Sequence, residues 1–243
     1  MYPIIIGGNG HSGTRLFADI LTECGVSMGI AGISHSGVTK DLNVRGLMNR
    51  WVKPYLLGLS NEEATTMKRQ FERRIRLLLP FRSKPWGFKN PRSMFLLPMY
   101  SELYPDLKYI HVIRDGRDMC FGNPFIHSPA YWSFVSEEES RLLSLEERMI
   151  KFWGASNKRV QEFGRKFLGD RYLEIRFEDT CDFPEQEISR ILEFIGKSDQ
   201  DINKLARMVK KPKSIGRWKT YGAEDVDSVL RLGKADLEHF GYE

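Results

Sequence analysis

The sequence predicts a single α/β domain of three layers, a mostly parallel central sheet with helices on both faces, and three observations lead there. Short apolar or alternating segments suited to strands recur at Ile4–Ile6, Trp86–Lys89, Leu107–Ile113 and Tyr172–Phe177. Segments of helical period lie between them, the order that parallel strands and their crossovers need. The first strand also runs directly into a glycine-rich turn and a helix, Gly7-Gly8-Asn9-Gly10-His11-Ser12-Gly13-Thr14-Arg15-Leu16.

Each element has its own warrant. Ile4-Ile5-Ile6 is a run of β-branched residues, as in a strand covered on both sides. Leu16, Phe17, Ile20 and Leu21 recur at helical spacing and carry a first helix to Gly25, which can cap it. Residues 26–43 have no sustained period and read as a loop over the site, and 26–58 as a variable region. Ser60 with Glu63 makes a capping box for a helix over 60–79, whose stripe is Phe71, Ile75 and Leu78. Its basic face, Lys68, Arg69, Arg73, Arg74 and Arg76, reads as solvated.

Trp86–Lys89 is a short strand ended by Asn90-Pro91, and a helix follows from Ser93 toward Leu103, with Pro98 implying a late start or a kink. Leu107–Ile113 is the next strand, and Arg114-Asp115-Gly116-Arg117-Asp118 lies past its carboxyl end, where open parallel sheets place ligands. Residues 123–135 form an aromatic, irregular loop suited to an acceptor. Ser136 to Leu168 reads as two helices, with capping boxes Ser136/Glu139 and Ser144/Glu147. Tyr172–Phe177 is a strand, and helices follow over 184–195 and 199–210. Lys210-Lys211-Pro212-Lys213-Ser214-Ile215-Gly216-Arg217-Trp218-Lys219 is too broken by Pro and Gly for a helix. A loop with such cations and one aromatic can clamp a phosphate and a base.

Bulk properties narrow the class. With 243 residues the chain buries one full core, so one domain over 1–243 is expected. Hydrophobic content of 41% and charge of 28% are those of a soluble globular protein. The balance of 37 Lys and Arg against 32 Asp and Glu gives +5, which suits a polyanionic ligand, and without a long basic run nucleic acid is not an expected partner. Cys24, Cys120 and Cys181 share no metal-binding spacing and read as free thiols. The first strand begins within three residues of Met1, and no apolar run approaches the roughly 20 residues of a membrane span, so a cytoplasmic location is expected.

The chemistry concentrates in the first turn. Glycines let backbone N–H groups converge on a phosphate, and the helix start adds unpaired amides and a favourable dipole. Gly8 to Gly13 has the spacing of the Walker phosphate loop, but Thr14-Arg15 stands where Lys-Ser/Thr would follow. A guanidinium there binds phosphate and repels a cation, so the loop should hold a phosphate without a metal. That points away from Mg²⁺-dependent kinase chemistry and toward transfer of a less charged group, such as a sulfonyl.

These segments together resemble the sulfotransferase superfamily, which uses 3'-phosphoadenosine 5'-phosphosulfate (PAPS) and whose plan is related to that of the P-loop nucleotide kinases. Gly10–Leu16 resembles the family's 5'-phosphosulfate loop, Trp86–Pro91 its lysine-bearing second strand and Tyr109–Asp118 its 3'-phosphate strand. Arg176–Asp179 and Ser214–Lys219 resemble two later signatures, so the match runs in order from residue 3 to about 220. The resemblance implies that Gly10, His11, Ser12, Gly13, Thr14 and Arg15 hold the 5'-phosphosulfate. It places Arg114 on the 3'-phosphate, helped by Lys211 or Lys213, Trp218 or Phe177 near the adenine, Lys89 near the bridging oxygen, and Arg217 elsewhere in the donor site.

Three positions depart from the pattern: His11 is the residue before Ser-Gly-Thr, Gly122 replaces a serine ligand, for which Asn123 or Ser128 could substitute, and Pro91 replaces a catalytic histidine. A general base must therefore come from elsewhere. Asp41 is the first choice and His35 the second, with Glu102 and His127 as further candidates. The function expected is metal-independent sulfonyl transfer from PAPS to a hydroxyl or amine of a small-molecule or carbohydrate acceptor. The alternatives are a Mg²⁺-dependent P-loop kinase and a nucleotide-binding module without catalysis.

Overall fold

The computed structural model describes residues 2–29, 32–34, 37–39, 44–78, 85–122, 134 and 137–242. Along the chain these form β1 (Pro3–Gly8), α1 (Thr14–Glu23), β2 (Gly32–Ser34), β3 (Gly37–Thr39), α2 (Arg45–Leu57), α3 (Asn61–Leu78) and β4 (Trp86–Lys89). A 3₁₀ turn over Pro91–Leu96 leads into α4 (Leu97–Leu103), β5 (Lys108–Ile113) and α5 (Gly116–Cys120). Then come α6 (Glu137–Leu142), α7 (Leu145–Phe163), β6 (Tyr172–Arg176), α8 (Phe177–Asp182), α9 (Pro184–Ile195), α10 (Ile202–Ala206) and α11 (Ala223–His239).

The main sheet has the order β4-β1-β5-β6 and every pairing is parallel. Alternate residues of each strand feed two cores, which gives the three expected layers. Ile5, Phe88, Tyr109 and Ile113 face α2, α3, α4, α7 and α11, where Trp51, Phe71, Tyr100, Trp153 and Leu237 pack. Ile4, Ile6, Ile110, Val112 and Ile175 face α1 and α9, against Phe17, Leu21, Ile188 and Ile191. Each such side chain taken from water stabilises the fold by roughly 1.5–3 kcal/mol.

Register sets the position of the site. Ile6 lies opposite Lys89 on one side and Ile110 on the other, and Gly8 opposite Val112. The glycine turn, Lys89, Arg114 and Phe177 therefore all leave the sheet at its carboxyl edge.

The sequence signals act as expected at several ends. Gly25 and Val26 donate back to Thr22 and Leu21 at 2.9 Å each and stop α1. The Ser60/Glu63 and Ser144/Glu147 boxes both form. Pro98 enters the first turn of α4, the late start that its missing N–H favours. Ser136 lies outside the described residues.

The structure departs from these expectations at several places, among them Phe177, which starts α8 instead of ending the strand. Among the described residues of 26–43, β2 and β3 pair as an antiparallel hairpin. Residues 45–57, read as part of a variable region, form α2: Met48, Trp51 and Val52 make a stripe, but Val44 supplies no side-chain cap and Pro54 sits inside the helix. The 199–210 helix shortens to Ile202–Ala206, capped by the Asp201 side chain on the Lys204 N–H at 3.0 Å. A terminal helix, α11, went unread because Gly233 stands in its buried stripe between Val229 and Leu237. No helix among the described residues is long and apolar enough to cross a membrane.

One polar cluster lies inside the sheet layer. His111, fully buried in β5, sits 2.7 Å from the Tyr172 hydroxyl through Nδ1 and 3.1 Å from Asn157 Oδ1 through Nε2. Burial pushes its pKa down to about 4, so the imidazole is neutral.

Candidate active site

The turn between β1 and α1 is shaped by its glycines. A Cβ on Gly8 would stand 2.2 Å from the Val112 carbonyl oxygen, and Gly13, at φ 88°, would meet the Phe177 ring at 2.3 Å. Only glycine lets the chain pass so close to β5 and to the start of α8. His11 also sits in the left-handed region at φ 66°. Asn9 is buried and anchored by its amide to Ser156 Oγ of α7 at 3.1 Å. Gly13 gives α1 no side-chain cap, and no acidic residue occupies the first turn. Ser12 is fully buried, yet its Oγ has no hydrogen-bond partner. An unsatisfied hydroxyl beside uncapped helix amides is an arrangement that an anion completes.

Beside the turn lies a cavity of about 200 Å³, lined by His11, Arg114, Asp118, Met119, Gly122, Ser214 and Arg217. Arg114, just past β5, is buried over the Phe177 ring at 5.5 Å. Its Nη2 donates to the Ser214 carbonyl at 2.8 Å and to Ser214 Oγ at 2.9 Å, and its Nη1 to the His11 carbonyl at 3.4 Å. Asp118 at 3.6 Å and Glu178 at 4.0 Å flank it, while its Nε is buried without a hydrogen bond. Arg217 Nε donates to the Ser214 carbonyl at 3.3 Å. Two guanidinium groups thus meet on one serine at the mouth of the phosphate-loop turn.

The electrostatics follow. Burial first, then the charges of Arg114 and Arg217, hold the His11 imidazole below its ordinary pKa. It is neutral at neutral pH, and an arriving anion would favour its protonation. Burial raises the Glu178 carboxyl, and the Tyr242 hydroxyl donates to it at 2.9 Å.

The other expected residues fall as follows. Lys89 is buried at the end of β4 beside β1. Thr14 is buried at the start of α1 and Arg15 is exposed on it. Lys213 is exposed, and Lys211 reaches Asp182 at 2.5 Å. Trp218 is half-buried beneath the Arg117 guanidinium at 4.4 Å, with the Lys219 ammonium 5.5 Å from its ring. Phe177 is buried as a seat for Gly13 and Arg114. Glu102 lies in the last turn of α4, which leads to the start of β5 at the opposite edge of the sheet, and is paired with Lys68. Asp41, His35, His127, Asn123 and Ser128 lie outside the described residues. Among the described residues no group of three or more His, Cys, Asp or Glu is placed to hold a metal ion.

Two contributors escaped the sequence reading, although both stand in runs it singled out. Ser214 joins the two arginines, and Asp118 accepts from the loop that carries Ser214. Gly122 also gains an explanation. A Cβ there would lie 3.1 Å from Arg217 Nη1, so a guanidinium borders the space where a serine was expected.

A parallel sheet between two helical layers, with a glycine turn and a doubly cationic cavity at its carboxyl edge, has the architecture of the phosphate-loop class. The chain belongs to the sulfotransferase family, whose model matches residues 3–201. It is 24% identical over 138 residues to the omega-hydroxy-beta-dihydromenaquinone-9 sulfotransferase Stf3 of Mycobacterium bovis. That stretch is 56% of this chain and 35% of the relative, so the match spans about a third of the relative's length. The sulfotransferase STF9 of Mycobacterium avium has a similar fold, with a TM-score of 0.64 at 13% identity over 99% of this chain and 77% of that one. So does the sulfotransferase domain of the Synechococcus PCC 7002 olefin synthase, with a TM-score of 0.54 at 18% identity over 100% of this chain and 94% of that one.

Proposed function

We propose that the chain moves a sulfonyl group from PAPS to a hydroxyl or amine of a small-molecule or carbohydrate acceptor in the cytoplasm, and that it needs no metal. The observation that supports this most is the convergence of Arg114 and Arg217 on Ser214, beside a turn whose Ser12 hydroxyl is buried and unsatisfied. Such a site suits a nucleotide with phosphates at both ends of its ribose. Residues 10–15 would hold the 5'-phosphosulfate, and Arg114, Arg217 and Ser214 the 3'-phosphate, with Lys211 and Lys213 at its rim and Trp218 toward the base. The sulfotransferase family weighs against the kinase alternative.

In the transfer, the bond from sulfur to the bridging phosphate oxygen breaks as a bond from sulfur to the acceptor heteroatom forms. The electron pair stays on the leaving phosphate, where a lysine at the end of β4 would stabilise it. The acceptor proton passes to a base, for which Asp41 and then His35 are the candidates. His11, neutral before binding, can donate to an anionic oxygen in the right tautomer or once protonated.

Calorimetric titration with 3'-phosphoadenosine 5'-phosphate, with and without EDTA, tests the donor assignment, alongside ATP with Mg²⁺. Micromolar binding that ignores EDTA is the expected result. Binding of ATP alone, and only with Mg²⁺, would overturn it.

A further inference from the structure

Asp118 poses a problem, because it places a carboxylate on the wall of a cavity argued to bind phosphate. Its side chain is completely buried and pairs with Arg114 only at 3.6 Å, so it takes up part of the positive charge that an incoming anion would otherwise meet. What it touches resolves the difficulty. Its Oδ2 accepts the Gly216 N–H at 2.7 Å and its Oδ1 the Trp218 N–H at 3.3 Å, which joins α5 to a loop a hundred residues later. The same short segment grips that loop twice more. Asp115 binds Arg117 through its Nε and Nη2 at 2.8–3.1 Å, and the braced guanidinium covers Trp218. The Phe121 carbonyl accepts from the Tyr221 hydroxyl at 2.7 Å.

We infer that Asp118 is a positioning residue that latches the 214–218 loop onto α5 before any ligand arrives. The latch fixes Arg217, and through Ser214 it fixes Arg114 as well. Bidentate capture of two backbone amides by a buried carboxylate is a strong local restraint. A subsite already ordered spares the ligand the cost of ordering it. The positive charge that Asp118 takes up is offset in that way. The inference rests on the donor assignment for its ligand, but the latch itself can be read without one.

The test uses the full chain as wild type, Asp118→Ala and Asp118→Asn. Hydrogen exchange of the 212–221 segment, measured without ligand, reads the latch. Binding of 3'-phosphoadenosine 5'-phosphate and of adenosine 5'-monophosphate reads its effect on the 3' subsite. In Asp118→Ala the segment is expected to exchange at least about tenfold faster, from the loss of two charge-assisted bonds. The bisphosphate should weaken at least about tenfold. The monophosphate, which lacks the 3'-phosphate, should change less than about threefold. Asp118→Asn keeps one acceptor oxygen and should fall between, and it carries the test if the alanine variant does not fold. Unchanged exchange in both variants, equal weakening of both nucleotides, or tighter bisphosphate binding would each overturn the inference. If wild type binds no bisphosphate, the donor assignment falls and the exchange result still decides the latch.

Discussion

Restoring the serine that the family resemblance expects should damage this site. A Cβ added to Gly122 would stand 3.1 Å from Arg217 Nη1 and 3.3 Å from the carbonyl oxygens of Asp118 and Met119. The two carbonyls both belong to α5 and cannot withdraw, so the displacement of a few tenths of an ångström falls on the guanidinium. A charge-assisted hydrogen bond contributes about 1.5–3 kcal/mol, and spoiling its geometry by that distance forfeits about half, or about 1 kcal/mol. Gly122→Ser should therefore weaken 3'-phosphoadenosine 5'-phosphate about fivefold in a calorimetric titration. Gly122→Ala, which has the same Cβ and no hydroxyl, should weaken it at least as much. The backbone at Gly122 is not left-handed, so neither variant is strained for other reasons. Tighter binding by the serine variant with a neutral alanine variant would refute the reasoning, because it would mean that the hydroxyl finds the phosphate and Arg217 yields without loss.

Further predictions follow from the same site and from the sheet. Ser12→Ala removes a buried hydroxyl that has no partner, so urea unfolding should show equal or greater stability, by up to about 1 kcal/mol, while bisphosphate affinity falls about tenfold. His11 is held below its ordinary pKa, and a bound anion raises it, so binding takes up a proton and affinity rises as pH falls from about 8 to 6. Titrations of wild type against His11→Asn over that range should differ in slope by up to one proton, which leaves out the phosphate's own ionisation. His111 is neutral in the folded chain down to about pH 4 and takes a proton near 6.5 when unfolded. Its contribution to stability is thus lost as pH falls through that window, up to about 3 kcal/mol, and urea midpoints of His111→Gln should fall less steeply between pH 6.5 and 4.5.

Most of the sheet was legible because β1, β4 and β5 are buried on both faces, and an unbroken apolar run such as Ile4-Ile5-Ile6 has few other places to go, while the half-buried β6 shows the alternation of an edge strand. Boundaries were legible where chemistry marks them, at the Ser60 and Ser144 boxes and at Pro98. Of the helices that escaped, α2 and α11 carry a proline and a glycine inside the helix, and packing against the core makes up for them, while α5 and α8 are only five and six residues long, too short for a periodic stripe. The glycine turn between β1 and α1 and the placement of Arg114 at the cavity could be read from spacing and from position at a strand end. The use of Gly122 could not. Its smallness answers a guanidinium from the far end of the chain, and a single sequence does not show which of its residues meet.

The cavity is bordered by three parts of the chain, His11, 114–122 and 214–217, and the last lies beyond the 3–201 span that the family model recognises. During synthesis the N-terminal portion of a chain emerges first, at about 5–20 residues per second. By then β1, β4, β5 and β6 are all available, so the sheet can assemble while Arg114 still lacks Ser214 and Asp118 still lacks the Gly216 amide. A nascent chain in that interval would have its sheet, but it would lack α11 from one core and the third border of its cavity. Ligand capture would then mark the arrival of the closing loop more sharply than any measure of helix or strand content.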